Sequence, residues 1–190
     1  ALQGEFGTSV LTANPVWTDI KKTFPATLEL ATAGILIGAG LGIPLGVWAA
    51  VRRGGLVDHA VRVIGLIGYS VPVFWLGLMA LVLFYAKLGW VGGPGRIDVA
   101  FEYAVERITG LLLLDAAMAG EWEAFGNAFS HLLLPAALLG YFSLAYISRM
   151  TRSFMLNELA QEYIVAARAK GLSETRIIWR HALRNAMVPL

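Results

Sequence analysis

The sequence predicts an all-α polytopic membrane protein, a bundle of transmembrane helices. Three observations carry that prediction. The chain has 190 residues, of which 57% are hydrophobic before its 21 glycines are counted and only 15% are charged, where a soluble domain has about 25% charged. Mean hydropathy is +0.66. Three stretches free of Asp, Glu, Lys and Arg, Leu30 to Val51, Val63 to Ala86 and Ala124 to Ser148, run for 22, 24 and 25 residues. A helix needs about 20 apolar residues to cross the hydrocarbon core of a bilayer. This composition excludes a disordered chain and speaks against a soluble enzyme. With no cysteine, a disulfide scaffold is excluded, and a net charge of +2 is too small to point to nucleic acid.

The elements follow in order. Residues 1–24 are mixed polar, carry no cleavable leader pattern, and read as a segment on the outer side. The first span is expected over about 26–51, the second over 62–86 and the third over 130–150. Of the fifteen Lys and Arg, ten lie between the first two spans or after the third, and five lie in 1–24 and the loop over 87–129. The positive-inside rule then places the 52–61 loop and the segment over 151–185 in the cytoplasm and the 87–129 loop outside. In that outer loop, Trp90-Val-Gly-Gly-Pro-Gly95 is turn chemistry. Asp98 to Thr109 has helical spacing, and Ile108 to Leu114 is apolar but too short to span. A packed cap is expected there, with a docking surface for an external partner as the sharper reading. Residues 186–190 start a further apolar run, so the chain reads as a piece of a longer protein.

Glycine and proline punctuate the spans. Gly34, Gly38, Gly42 and Gly46 recur every fourth residue, a pattern that lets another helix approach closely. Pro44 and Pro72 are candidate kinks. Tyr69, Ser70, Trp75 and Tyr141 are candidates for a polar pathway, although aromatic residues in spans more often serve packing. Glu29 reads as a first-turn acid of the first span, favoured by the helix dipole. Asp58-His59 reads as loop structure, His131 as a helix-boundary residue and His181 as a satisfied polar group. The three histidines are far apart and no cysteine exists, so no metal site is expected.

The segment after the third span is dense in charge. Asn157 to Lys170 reads as one helix. Gly171 stops it, Leu172 folds back on it, and Ser173 and Glu174 open a second helix. A helix-turn-helix DNA reader has similar spacing, but one wedged between membrane spans would struggle to enter a major groove. A rigid elbow that docks a cytoplasmic protein and passes its motion to the spans fits better.

These residues resemble a known family. Pro25-Ala-Thr-Leu-Glu-Leu30, Gly42-Ile-Pro-Leu-Gly-Val47, Arg53-Gly-Gly-Leu-Val-Asp-His59, Tyr69-Ser-Val-Pro-Val-Phe-Trp-Leu-Gly77, His131-Leu-Leu-Leu-Pro135, Tyr163-Ile-Val-Ala-Ala-Arg-Ala-Lys-Gly-Leu172 and Arg180-His-Ala-Leu-Arg-Asn185 resemble the inner-membrane permease subunits of binding-protein-dependent ABC transporters. The likeness is nearest to the B-type permeases of the dipeptide, oligopeptide and nickel group. The family's Glu-Ala-Ala-x-x-x-Gly loop falls here on Ala166, Ala167 and Gly171, with Val165 in the glutamate place and Glu162 ahead of it. The resemblance implies a translocation pathway for a peptide or similar small solute. It also implies a coupling helix, over Glu162, Tyr163, Ala166, Ala167, Arg168, Ala169, Lys170, Gly171 and Leu172, that seats in an ATPase subunit.

By the same resemblance, the expected partners are a second permease subunit, two cytoplasmic ATPases, an external solute-binding protein and the lipid bilayer of a bacterial or archaeal inner membrane. No nucleic acid is expected. The chain carries no Gly-x-x-x-x-Gly-Lys-Ser/Thr loop, so it is not expected to be an enzyme or to bind a cofactor. ATP and Mg would sit in the partner ATPases. The alternative is a membrane scaffold that docks a partner without transport.

Overall fold

A computed structural model of the chain describes residues 6–190. The described residues form helices and one isolated bridge between Thr8 and Pro15, with no strand among them. Helix α1 runs over Val16–Val51, α2 over Leu56–Ser70 and α3 over Val73–Ala80, which continues as a π-type turn over Leu81–Lys87. Helix α4 spans Leu112–Ala119 and α5 spans Trp122–Leu159. Four short pieces follow: α6 Glu162–Ala169, α7 Glu174–Arg176, a π-type turn over Ile177–Ala182, and α8 Leu183–Ala186.

Helices α1 and α5 are long and apolar enough to cross a membrane, and α2 with α3 makes a third crossing if the broken pair is one span. The break falls at Val71, whose backbone is extended. The residue before a proline is pushed out of the helical region, and Pro72 follows it. Helix α1 starts at Val16, ahead of the apolar stretch, with Asp19 in its first turn. A helix need not end where the hydrocarbon does, since its backbone bonds are internal.

The chain divides into two compact units, one of residues up to 33 and 77–136, the other of 34–76 and 137–190. The first unit has a small apolar core of Val105, Leu112, Ala116, Ala124 and Ala128. Polar bonds tie it together. Glu29 accepts from Arg96 Nη2 and from the Leu113 N–H, both at 2.8 Å. Asp115 is buried and accepts from the Thr109 N–H and Oγ1 and the Gly110 N–H at 2.9, 2.6 and 2.9 Å. Burial opposes its charge, but these bonds together hold its carboxyl below the usual range. His131 Nδ1 donates to the Gly93 carbonyl at 2.9 Å, and Nε2 faces Asp98 at 3.2 Å.

Several expectations change here. The stretch Asp98 to Thr109 holds only a 3-10 turn at Val99–Phe101, and the helix of this loop is α4. Asp98 is engaged with Asn127, and Thr109 and Gly110 are engaged with Asp115. Such side-chain bonds compete with the helical ladder. Glu29 lies well inside α1 rather than in its first turn, and acts through Arg96. His131 lies within α5 and is buried, not at a boundary.

In the second unit the glycine stripe meets α5 in register. A Cβ on Gly34 would lie 2.8 Å from Leu139 Cβ, and one on Gly46 would lie 2.6 Å from the Ser148 carbonyl. Gly38 faces Ser143 and Gly42 faces Ile147. Both sequences advance together by four, so the two helix segments run parallel, as two crossings in the same direction must. The row-on-row contact is the i±4 packing mode. Helix α2 packs on the same part of α5, where Tyr141 Oη donates to the Ile64 carbonyl at 3.0 Å and Gly68 faces Ala145.

Candidate functional site

The predicted loop residues come together as an elbow in the second unit. The expected single helix over Asn157 to Lys170 is broken at Ala160 and Gln161, between α5 and α6. Gln161 has an extended backbone that ends one helix and begins the next. Tyr163 Oη spans the break, donating to Glu158 at 2.7 Å. Burial, then the bond to the Glu158 carboxylate, raise the Tyr163 phenol above its usual range.

Gly171 ends α6 with φ of +75°. The Leu172 N–H donates to the Ala167 carbonyl at 3.2 Å and the Gly171 N–H to the Arg168 carbonyl at 2.9 Å. These two bonds are the Schellman stop, which requires a left-handed residue at the glycine position. Leu172 packs back on the core, as the sequence suggests. Ser173 occupies the N-cap position of α7 with extended backbone, but its side chain makes no capping bond. Across the turn Arg168 donates to Glu174 through Nε at 2.7 Å and Nη2 at 3.2 Å. This pair raises the arginine and lowers the glutamate from their ordinary values.

The elbow has two unlike faces. Ile164, Ala167, Ile177, Ala182 and Ala186 are buried in one cluster with Val47 and Ala50 of α1 and Met155 of α5. On the outer face Val165 is 62% exposed and Trp179 48%, and Glu162, Tyr163, Ala166, Arg168, Ala169 and Lys170 are exposed as well. A short helix is thus fixed to the ends of two spans by its inner side and leaves a mixed apolar and basic side open.

One buried ion pair underlies this arrangement. Asp58 is 1% exposed and accepts from Arg152 Nε at 2.6 Å and Nη2 at 2.9 Å, and from the Gly54 N–H at 2.9 Å. The Arg152 bonds first, then the Gly54 bond, hold its carboxyl far below the usual carboxylate range against the cost of burial. Arg62 adds a contact at 3.5 Å. Asp58 is therefore not loop structure but a clasp between the first turn of α2 and α5. An acid at the third helical position that reaches back to the N-terminal backbone is a readable capping signal. Its arginine partner 94 residues away is not.

The pathway candidates do not converge with the elbow. Pro44 is an exposed residue within α1, Pro72 is at the break, and Trp75 is half exposed on α3. Ser70 Oγ donates to the Leu66 carbonyl of its own helix at 2.8 Å, and Tyr141 is engaged with Ile64. The side chain of Tyr69 lies outside the described residues. No group of three or more His, Cys, Asp or Glu that could hold a metal occurs among the described residues.

The family model described as the binding-protein-dependent transport system inner membrane component matches residues 42–190. This chain belongs to that family. Three relatives of this inner membrane component match nearly all of it. The di/tripeptide transport system permease protein of Pseudomonas aeruginosa is 46% identical over 188 residues, covering 99% of this chain and 55% of its own length. The probable D,D-dipeptide transport system permease protein of Escherichia coli is 44% identical over 186 residues, 98% of this chain and 54% of its own length. The dipeptide transport system permease protein of Escherichia coli is 43% identical over 190 residues, 100% of this chain and 56% of its own length. The chain thus spans about half the length of the curated relatives it matches. The matched region of the family model contains the whole elbow, the Asp58–Arg152 clasp and most of the second unit.

Proposed function

We propose that this chain is part of the permease subunit of an ATP-driven ABC importer, and that it passes motion from a partner ATPase to the membrane helices through the elbow at 162–172. The observation that carries this reading is the two-faced elbow. Its inner residues share one core with α1 and α5, so a push on the outer face cannot be absorbed by a loose linker. Close-packed interiors transmit displacement rather than damp it. The exposed Val165, Ala166, Ala169 and Trp179 offer a small apolar surface, framed by Arg168 and Lys170, of the kind that seats in a groove. The names of the relatives support di- and tripeptides as the solute class. In this reading the subunit pairs with a second permease and two cytoplasmic ATPases that bind ATP and Mg, and receives solute from an external binding protein at the inner membrane.

The test is transport in vesicles reconstituted from the full-length subunit and its partners. Gly171→Pro forbids the positive φ and breaks the Schellman stop. Uptake is expected to be lost while ATP hydrolysis persists and the permease still inserts. Normal uptake by that variant would overturn the coupling role.

A further inference from the structure

The second arm of the elbow, from α7 through the π-type turn to α8, carries a charge pattern that the coupling role does not use. Arg176, Arg180 and Arg184 recur every fourth residue, and all three are exposed. Residues four apart in a helix are neighbours on one side, and like charges in that relation repel. Among the described residues none of the three makes a hydrogen bond or an ion pair. Two of the three acids in 157–190 are already engaged: Glu174 accepts twice from Arg168, and Glu158 accepts from Tyr163. The third, Glu162, opens α6 on the other arm. The row of arginines is thus uncompensated within the elbow.

The opposite side of the arm fixes its depth. Ile177, Ala182 and Ala186 are buried with Val47 and Ala50 of α1 and Met155 of α5. Val47 and Ala50 lie at the end of α1, where its charge-free run stops, and Met155 lies seven residues past the end of the α5 run at Ser148. Seven residues rise about 10 Å along a helix. With those runs in the hydrocarbon, the arm sits between its edge and about 10 Å beyond, which is the headgroup layer. Met187 and Val188, both exposed, follow Arg184 and return the chain to apolar surface.

We propose that Arg176, Arg180 and Arg184 form a contact surface for anionic phospholipid headgroups in the leaflet on the elbow's side of the membrane. Basic residues just beyond a span draw such headgroups. The lipid anchors the second arm while the outer face of α6 stays open to a protein. An acidic groove of a cytoplasmic protein meets the same charge, but not at the depth where the apolar runs end. The surface shares the membrane placement of the proposed function and uses neither Gly171 nor ATP.

The full-length subunit in an uncharged detergent is titrated with a fluorescent phosphatidylglycerol, and binding is read by anisotropy. Phosphatidylglycerol is expected to bind, with phosphatidylcholine and glycerol phosphate as poor competitors. Arg176→Gln, Arg180→Gln and Arg184→Gln together should weaken binding about 100-fold, at about 5-fold for each cation lost from an anionic surface. The triple lysine variant should keep most of it, because charge rather than the guanidinium fork is used. Arg52→Gln with Arg53→Gln, which removes two exposed cations after α1, should leave it unchanged. Salt at about 1 M, which screens charges beyond about 3 Å, should release the lipid from the unaltered subunit, a readout that needs no variant to fold. Equal binding of phosphatidylcholine, full displacement by glycerol phosphate, binding that resists salt, or loss through Arg52 and Arg53 instead of the row would overturn the surface. Loss of the ATPase from the purified complex of the triple glutamine variant, with lipid binding intact, would overturn it too and assign the row to the protein partner. None of these readouts involves uptake, so their failure leaves the coupling role standing, and the Gly171→Pro result leaves the lipid surface standing.

Discussion

The two units solve the same problem differently. Each must hold irregular backbone beside long helices. The first unit does so with polar bonds, in which Asp115 collects the Thr109 and Gly110 N–H groups and Glu29 the Leu113 N–H, beside a small apolar core. The second does so with an apolar cluster of eight buried residues and one deeply buried clasp, Asp58–Arg152. The difference fits the proposed coupling role. A loop that need only hold its own shape can rely on polar bonds. An elbow proposed to move helices would have to be continuous with them, and packing against both α1 and α5 gives that continuity.

Breaking the clasp should have the largest effect. Asp58→Ala leaves Arg152 without its partner, and removing one member of a buried pair costs roughly 3–5 kcal/mol. The purified full-length variant should show a collapse in thermal stability, and an unchanged Tm would contradict the clasp. Next comes the glycine stripe. Gly38→Val drives a side chain into Ser143, and overpacking of this kind costs about 1–3 kcal/mol. Gly40→Ala, with nothing within 4 Å of its Cβ, should be neutral or stabilise by up to about 1 kcal/mol. A denaturation series on the pair separates packing from propensity.

In the first unit Glu29→Ala strands the Leu113 N–H and Arg96, a loss of about 1–3 kcal/mol. Hydrogen exchange should localise that loss to 96–113 and leave the elbow protected. A smaller effect of opposite sign is expected at Thr151, whose Oγ1 is buried with no hydrogen-bond partner among the described residues. Thr151→Val removes an unsatisfied group, so a rise in Tm equivalent to about 1 kcal/mol is expected. Acid should be the weakest lever. Asp58, Asp98 and Asp115 all have carboxyls held below the ordinary value. Their stabilisation is present above the unfolded aspartate value of about 3.9 and lost only as pH falls through the lower folded values. Melting curves between pH 5 and 8 should therefore show no loss from these groups.

The long apolar helices and the turn at Gly171 were readable in the sequence, because each rests on local spacing. Charge-free runs set α1 and α5, Gly-x-x-x repeats marked a close-approach face of α1, and a glycine able to take a left-handed conformation placed the turn at Gly171. Helix breaks were less readable. The run at Asn157 to Lys170 has continuous helical spacing, yet Tyr163 bonding to Glu158 accompanies a break at Ala160 and Gln161. The outer loop misled for the opposite reason: Asp98 and Asp115 carry no periodicity, yet the Asp115 side chain took the Thr109 and Gly110 N–H groups and the Asp98 N–H went to the Asn127 side chain, partners that a helix would have used otherwise.

What the sequence by itself determined is where apolar surface must be hidden from water and where the chain can turn, since both depend on neighbours within a few residues. Only the tertiary structure decided which polar groups meet. Glu29 with Arg96 and Asp58 with Arg152 join residues 67 and 94 positions apart. A charge on a helix face can be satisfied by any opposite charge that packing brings near it. That choice is made by the fold of the helices and by the cost of leaving a buried carboxylate alone.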